Sequence, residues 1–136
     1  MTGLVVLLVA LATALALAVL HRWYDGRLRR RTSTRDLRPL LPAAAGERAT
    51  LLQFSSAFCA PCRATHRVLH DVAELVPGVR HVDVDAEAHL ELVRTLDILK
   101  TPTTLVLDAQ GREVLRATGR PSKHAVLAAL GQAVPS

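Results

Sequence analysis

The part of the chain that decides the fold is residues 50–76, which read TLLQFSSAFCAPCRATHRVLHDVAELV. Its first five residues form a mostly apolar run, typical of a strand that is buried on both faces. After a short loop, Cys59 and Cys62 stand in a CxxC spacing, which indicates either redox chemistry or half of a metal site. Apolar residues then recur at helical spacing until Pro77 and Gly78. The sequence therefore predicts a strand followed by a helix that opens at the CxxC pair.

The segments that follow extend this unit into an α/β domain. Residues 79–84 alternate as a strand and residues 85–96 have helical spacing, which completes a βαβ unit. Residues 103–107 and 113–117 are strand-like and predict a hairpin, and a last helix starts after Ser122 as its N-cap. We predict an α/β fold with a mixed four-stranded sheet and helices on both faces, its βαβ half parallel and its hairpin half antiparallel. A chain of 136 residues has room for one such domain.

The amino-terminal stretch from Gly3 to Leu20 contains no charged side chain. As a helix it would be ~27 Å long, close to the hydrocarbon thickness of a bilayer. Trp23 and Tyr24 follow at the position where aromatic rings favour the headgroup region. We predict a transmembrane helix over residues 1–20. A cleaved signal peptide is the alternative, but its positive charge should precede the apolar run, and here the arginines follow it.

The net charge of +5 lies entirely in residues 21–40, which hold seven arginines and two aspartates. Residues 41–136 carry ten basic and ten acidic side chains, so we expect no nucleic-acid partner. Basic residues that flank a span favour the cytoplasmic side, so we expect a cytoplasmic domain, with an extracytoplasmic domain as the alternative. Residues 33–48 lack periodicity. We therefore interpret residues 21–48 as a basic juxtamembrane tether and residues 49–136 as the folded domain.

Four motifs in the predicted domain carry a family resemblance. They are FSSAFCAPCR at 54–63, VDVD at 82–85, TPT at 101–103 and Gly119. In this combination the segment from about 49 to 134 resembles a thioredoxin-family domain, and a CxPC motif with a later TPT is far more specific than CxxC alone. The resemblance implies the thioredoxin-like fold and a thiol-disulfide oxidoreductase.

The resemblance also implies roles for individual residues. Cys59 would be the attacking cysteine and Cys62 the resolving one, with Pro102 as a cis-proline that faces them. Phe58, Thr101 and Pro102 would bind the substrate. An extended substrate could pair with the Thr101 backbone as an added strand, which would give broad peptide recognition.

The predicted position of the cysteines suits disulfide exchange. A cysteine at a helix N-terminus faces unpaired N–H groups and the positive end of the helix dipole, which stabilise a thiolate at Cys59. Pro61 lies in the first turn, where its missing N–H costs little. It fixes the backbone so that Cys62 can return to attack a mixed disulfide.

Three residues depart from the family pattern. Phe58 stands in place of a tryptophan, Ala60 in place of a glycine, and Gln53 in place of the buried aspartate six residues before the first cysteine. Because glutamine cannot take a proton, the family's route for activating Cys62 is in doubt. We hypothesise that Gln53 and His66, one helical turn after Cys62, act as a polar pair that handles the proton.

Zinc binding by the two cysteines with His66 and His70 is an alternative use of the CxxC pair. His70 lies two helical turns past Cys62, and the sequence has no second CxxC. We therefore expect no metal and no cofactor.

These features predict a single-pass membrane protein that carries a disulfide oxidoreductase, a reductant if the domain is cytoplasmic. An outward-facing oxidase or relay is one alternative, and a non-catalytic adaptor that binds a membrane partner around Pro102 is another. The expected partners are a protein disulfide or thiol substrate, a redox donor or acceptor protein and the membrane. We expect the chain to act as a monomer.

Overall fold

A computed structural model describes residues 1–134; Pro135 and Ser136, the end of the predicted domain, lie outside the described residues. Within that range the helices are α1 (Thr2–Tyr24), α2 (Ala60–Leu75), α3 (Leu90–Thr95) and α4 (Lys123–Ala133). The strands are β1 (Arg29–Arg30), β2 (Ala49–Ser55), β3 (Val79–Asp85), β4 (Thr103–Leu107) and β5 (Glu113–Thr118). A 3-10 turn covers Arg38–Leu40.

The strands form one mixed sheet in the order β1-β5-β4-β2-β3. β2 runs parallel to β3, and the crossover between them is α2. β4 lies antiparallel between β2 and β5, and the turn at 108–111 joins β4 to β5. The parallel half and the hairpin half are thus both as the sequence predicts.

Helices cover both faces of the sheet, which confirms the predicted layers. α2 and α4 pack on one face around Leu51, Leu69 and Val126. On the other face, α3 packs against Phe54. β2 lies between these cores and is buried nearly throughout, as its apolar sequence predicts. α3 is shorter than the predicted helix over 85–96 because β3 extends to residue 85 and a turn follows it.

The sheet has a fifth strand, which corrects the predicted four. β1 lies antiparallel to β5, and the N–H groups of Arg31 and Ser33 continue this pairing to carbonyls of β5 at 2.9 and 3.0 Å. Leu37 is 1% exposed and packs in the core on the α3 side. We call residues 26–37 the strap. Backbone hydrogen bonds hold most of it, so it needs no periodic apolar pattern. The interpretation as a tether, which rested on the lack of such a pattern, is therefore wrong for the strap.

α1 is long and apolar enough to cross a membrane, and none of it is buried against the rest of the described chain. It ends at Tyr24, and only Asp25 separates it from the strap. The Asp25 carboxylate accepts a hydrogen bond from Lys100 Nζ at 3.1 Å, and the Gly26 N–H donates to the Thr118 carbonyl at 2.7 Å. Gly26 has a φ of +74°, which favours glycine. The apolar helix therefore leaves the domain through a short, hydrogen-bonded junction.

Candidate active site

Cys59 and Cys62 are joined by a disulfide bond at the amino terminus of α2, with their Cα atoms 5.2 Å apart. Cys59 is the N-cap residue, and its Sγ accepts a hydrogen bond from the Cys62 N–H at 3.2 Å. Pro61 lies in the first turn, where no intrahelical hydrogen bond is lost. Cys62 is only 3% exposed, whereas Cys59 is partly exposed. Cys59 is therefore the sulfur that another molecule can reach.

Phe58, next to this pair, is fully exposed and has a φ of +58°. A left-handed backbone is unfavourable for a phenylalanine, so the surrounding loop must hold it there. The result is an apolar ring in solvent directly before Cys59, a placement suited to contact with another molecule.

The Thr101–Pro102 peptide bond is cis. β4 begins directly after it and pairs with β2, so this loop meets the loop that leads to Cys59. The hydroxyl groups of Thr101 and Ser56 are 2.8 Å apart, and the Gly119 N–H donates to the Pro102 carbonyl at 2.8 Å. Contacts from two sides thus fix the loop.

A cavity of about 330 Å³ opens beside the cysteines. The predicted site residues that line it are Phe58, Cys59 and Cys62. The polar side chains around them include Arg63, His66 and Asp83. Thr101 and Pro102 are not part of its wall, and the Ser56 hydroxyl connects their loop to it.

Gln53 is fully buried, and both ends of its amide are hydrogen-bonded. Its Nε2 donates to the Cys62 carbonyl at 2.9 Å, and its Oε1 is 2.9 Å from His81 Nε2. The hypothesis from sequence paired Gln53 with His66. The structure places His81 as the link between them, because the His81 and His66 ring centroids are 4.7 Å apart.

His66 is exposed and lines the same cavity as both sulfur atoms. Its Nε2 is 3.8 Å from Asp83 Oδ2, and Asp83 Oδ1 accepts a hydrogen bond from the Ser55 hydroxyl at 2.6 Å. An imidazole with a carboxylate beside it therefore stands one helical turn from Cys62. Such an arrangement can accept and return a proton.

His81 differs from His66 in its burial. Burial, together with the nearby His66 and His70 and against the opposing effect of Asp83, lowers the pKa of His81 to about 4. His81 is therefore neutral at pH 7 and acts towards Gln53 as an uncharged hydrogen-bond partner.

From the sequence alone His81 has no predicted role, and Asp83 stands out only as part of the VDVD motif. β3 alternates between faces, so these two side chains share one face of the strand. The parallel register places His81 opposite Leu51 and Asp83 opposite Gln53, on the side that α2 covers. The alternation of β3 can be seen in the sequence, but the sequence does not show that α2 packs on the face that carries His81 and Asp83.

Within residues 1–134 no group of three or more His, Cys, Asp or Glu side chains is arranged to hold a metal ion. The His66 and His70 rings are stacked with their centroids 6.2 Å apart, and the two cysteines are bonded to each other. The chemistry that this arrangement can carry out is thiol-disulfide exchange.

Comparison with known proteins identifies similar domains. A family model described as a thioredoxin-like domain matches residues 42–134. A thioredoxin of Mycobacterium tuberculosis strain H37Rv is 30% identical over 87 residues, which are 63% of this chain and 74% of that protein. The match to the family model includes every site residue named above and excludes α1 and the strap.

Solved structures give the same result. A chloroplastic thioredoxin z has a TM-score of 0.58 and 26% identity, over 63% of this chain and 78% of the other. A mutant thioredoxin from Halobacterium salinarum has a TM-score of 0.61 over 66% and 78% of the two chains. Its identity of 18% makes this second likeness one of fold alone.

Proposed function

The chain belongs to the thioredoxin-like domain family, and from that premise we propose that it is a membrane-tethered oxidoreductase that reduces protein disulfides. The observation that carries the proposal is the Cys59–Cys62 pair at the start of α2, where Cys59 is accessible and Cys62 is buried behind it. The exposed Phe58 directly precedes Cys59, and the loop at Thr101 and Pro102 is joined to the loop that leads to Cys59 through the Thr101 and Ser56 hydroxyl groups. We assign Phe58, Thr101 and Pro102 to substrate binding.

The exchange proceeds in two steps. The Cys59 thiolate attacks one sulfur of a substrate disulfide, which breaks that bond, forms a mixed disulfide and releases the other substrate sulfur as a thiolate. Cys62 then loses its proton and attacks Cys59 Sγ. This second attack releases the substrate's second thiolate and leaves the Cys59–Cys62 disulfide. Two electrons have passed to the substrate, so a donor protein must reduce the pair again.

The proton of Cys62 requires an acceptor, and His66 is the side chain we assign to this role. It lines the cavity with Cys62, and Asp83 at 3.8 Å would stabilise the imidazolium that forms. Gln53 contributes as a positioning residue, because it holds the Cys62 carbonyl and, through His81, the surroundings of His66.

The direction of electron flow follows from the proposed location. The arginines after α1 favour a cytoplasmic domain, where the glutathione poise keeps dithiols reduced. We therefore expect a reduction potential near the ~−270 mV of thioredoxin, whereas an outward-facing oxidant would lie towards ~−120 mV.

The experiment is an equilibration of the full chain in detergent against glutathione and dithiol buffers, together with turnover of a model protein disulfide. A potential near ~−270 mV with multiple turnovers agrees with the proposal. The Cys62→Ser variant should accumulate a mixed disulfide with the substrate, and Cys59→Ser should be inactive. If Cys59→Ser still binds a partner and the wild type never turns over, the domain is an adaptor and the proposal is wrong.

A further inference from the structure

A second cavity lies where α1 meets the domain, apart from the cysteines. Its volume is about 440 Å³, and its wall is formed by the last turn of α1, the first half of the strap, the end of β5 and the loop at Lys100. His21 and Tyr24 are the α1 residues in this wall. If α1 spans a membrane, the cavity therefore lies at the level of the lipid headgroups.

The wall of this junction cavity is strongly cationic. Its six basic side chains are Arg27, Arg29, Arg30, Arg31, Lys100 and Arg116. The one carboxylate in the wall is Asp25, which is bound to Lys100. Arg116 is bound to Glu113, and Arg31 is 3.7 Å from Asp97. Among the described side chains, no carboxylate forms an ion pair with the other three arginines.

Two of these arginines are held in place by aromatic rings. The Arg27 guanidinium lies 4.9 Å from the centre of the Trp23 ring, and the Arg29 guanidinium lies 5.9 Å from that of Tyr24. Cation–π contacts of this kind orient a guanidinium without neutralising it.

The strand pairing adds like charge at the same place. Arg29 stands directly opposite Arg116 across the β1–β5 ladder, and like charges in that position are destabilising. Because Glu113 already pairs with Arg116, the charge in this wall that lacks a carboxylate partner among the described residues is that of Arg27, Arg29 and Arg30. An anion in the cavity would balance this charge, and a guanidinium matches the oxygens of a phosphate with two parallel hydrogen bonds.

We propose that the junction cavity binds a phosphate group, supplied by an anionic phospholipid headgroup or by a soluble phosphate ester. The inference uses the proposed membrane attachment but not the disulfide chemistry. A bound headgroup would hold the strap and the Lys100 loop against the bilayer surface.

The test compares two variants from which the same amount of charge is removed. Arg27→Gln/Arg29→Gln changes two cavity arginines, and Arg22→Gln/Arg35→Gln changes two exposed arginines of the same segment that do not line the cavity. Each full chain is placed in nanodiscs of equal phosphatidylglycerol and phosphatidylcholine, and native mass spectrometry counts the retained lipids. Circular dichroism checks that each variant is folded.

We expect the wild type and the control variant to retain phosphatidylglycerol in preference to phosphatidylcholine, and the cavity variant to retain it at least about tenfold less. In a second arm, wild type in pure phosphatidylcholine nanodiscs is titrated with inorganic phosphate and with glycerol phosphate. Binding in that arm that the cavity variant loses would identify a soluble ester as the source. Equal loss of phosphatidylglycerol in both variants, or no phosphate binding in either arm, would overturn the proposal.

Discussion

At the scale of single residues, the buried Gln53 determines which atoms carry the hydrogens in the two hydrogen bonds that connect Cys62 to His81. The Cys62 carbonyl can only accept, so the Gln53 nitrogen must face it and the Gln53 oxygen must face His81. His81 Nε2 must then carry a hydrogen. Neutral His81 is therefore the Nε2–H tautomer, and a chain of oriented hydrogen bonds runs from β3 to the resolving cysteine.

The lowered pKa of His81 predicts how stability depends on pH. The folded state takes up the proton near pH 4 and the unfolded state near 6.5, so the unfolded state binds more protons between these values. The stability that neutral His81 contributes is therefore fully present above about pH 6.5 and is lost as the pH falls towards about 4. We expect wild type to lose about 1–2 kcal/mol more than His81→Gln between pH 7 and pH 4, after allowing for solvent screening of a partly exposed ring.

Urea unfolding of both proteins at several pH values measures this difference. Gln at position 81 can still donate to Gln53 but cannot take a proton in this range, so it isolates the titration from the hydrogen bond. Parallel pH curves for the two proteins would contradict the prediction.

The proposed role of His66 predicts a kinetic effect. Removing a general base typically slows a reaction ~100-fold or more, so His66→Ala should slow the release of substrate from the mixed disulfide by about that factor. It should also change the pH dependence of that step, because the variant has no imidazole to take the proton. Stopped-flow measurement of the release step from about pH 5 to about pH 9 tests both effects.

The matched control for this experiment is His70→Ala. His70 is an exposed histidine on the same helix that does not line the active-site cavity. It should leave the release rate and its pH profile nearly unchanged. A His66→Ala profile that matches wild type would show that water or another group takes the proton.

At the scale of elements, the strap is part of the domain, and truncation of its buried Leu37 tests this. Leu37 is 1% exposed in the core on the α3 side, whereas Leu40 in the same part of the chain is 38% exposed. Truncation of a buried leucine costs about 2–5 kcal/mol, so Leu37→Ala should destabilise the domain by roughly 2–3 kcal/mol. Leu40→Ala should cost less than about 1 kcal/mol. Equal, small losses in urea unfolding would mean that the strap is not packed in solution.

The elements that the sequence predicted are those whose side chains carry a pattern. β2 is apolar throughout, α2 has helical spacing after a CxPC motif, and the hairpin of β4 and β5 has a turn signal. β1 was missed because its pairing depends on backbone groups of β5 and its side chains are exposed arginines. The link through His81 was missed for a related reason: it joins residues 53, 66 and 81, which only the packing of α2 on the sheet brings together.

At the scale of the whole molecule, the junction with α1 lies at the same end of the sheet as the loop beside the active site. The Gly26 N–H donates to the Thr118 carbonyl, and the next residue, Gly119, donates to the Pro102 carbonyl. Two hydrogen bonds at the end of β5 therefore connect the residues that follow α1 to the cis-proline. A domain held in this way would meet disulfides close to the membrane before those far from it.

This geometry predicts a preference for membrane-proximal substrates. Full-length protein in vesicles is offered two lipid-anchored peptides with the same disulfide, one on a short spacer and one on a long spacer. We expect the short-spacer peptide to be reduced faster, on the order of tenfold. The junction holds the active site near the membrane, which raises the effective concentration of that peptide at Cys59. Inserting roughly ten Gly and Ser residues between Tyr24 and Asp25 adds about 17 Å of flexible reach. It keeps the bonds of Asp25 and Gly26 to the domain and should bring the two rates together. A soluble disulfide should be reduced equally by both proteins, which separates a loss of positioning from a loss of activity. An unchanged preference in the insertion variant would mean that the junction does not position the active site.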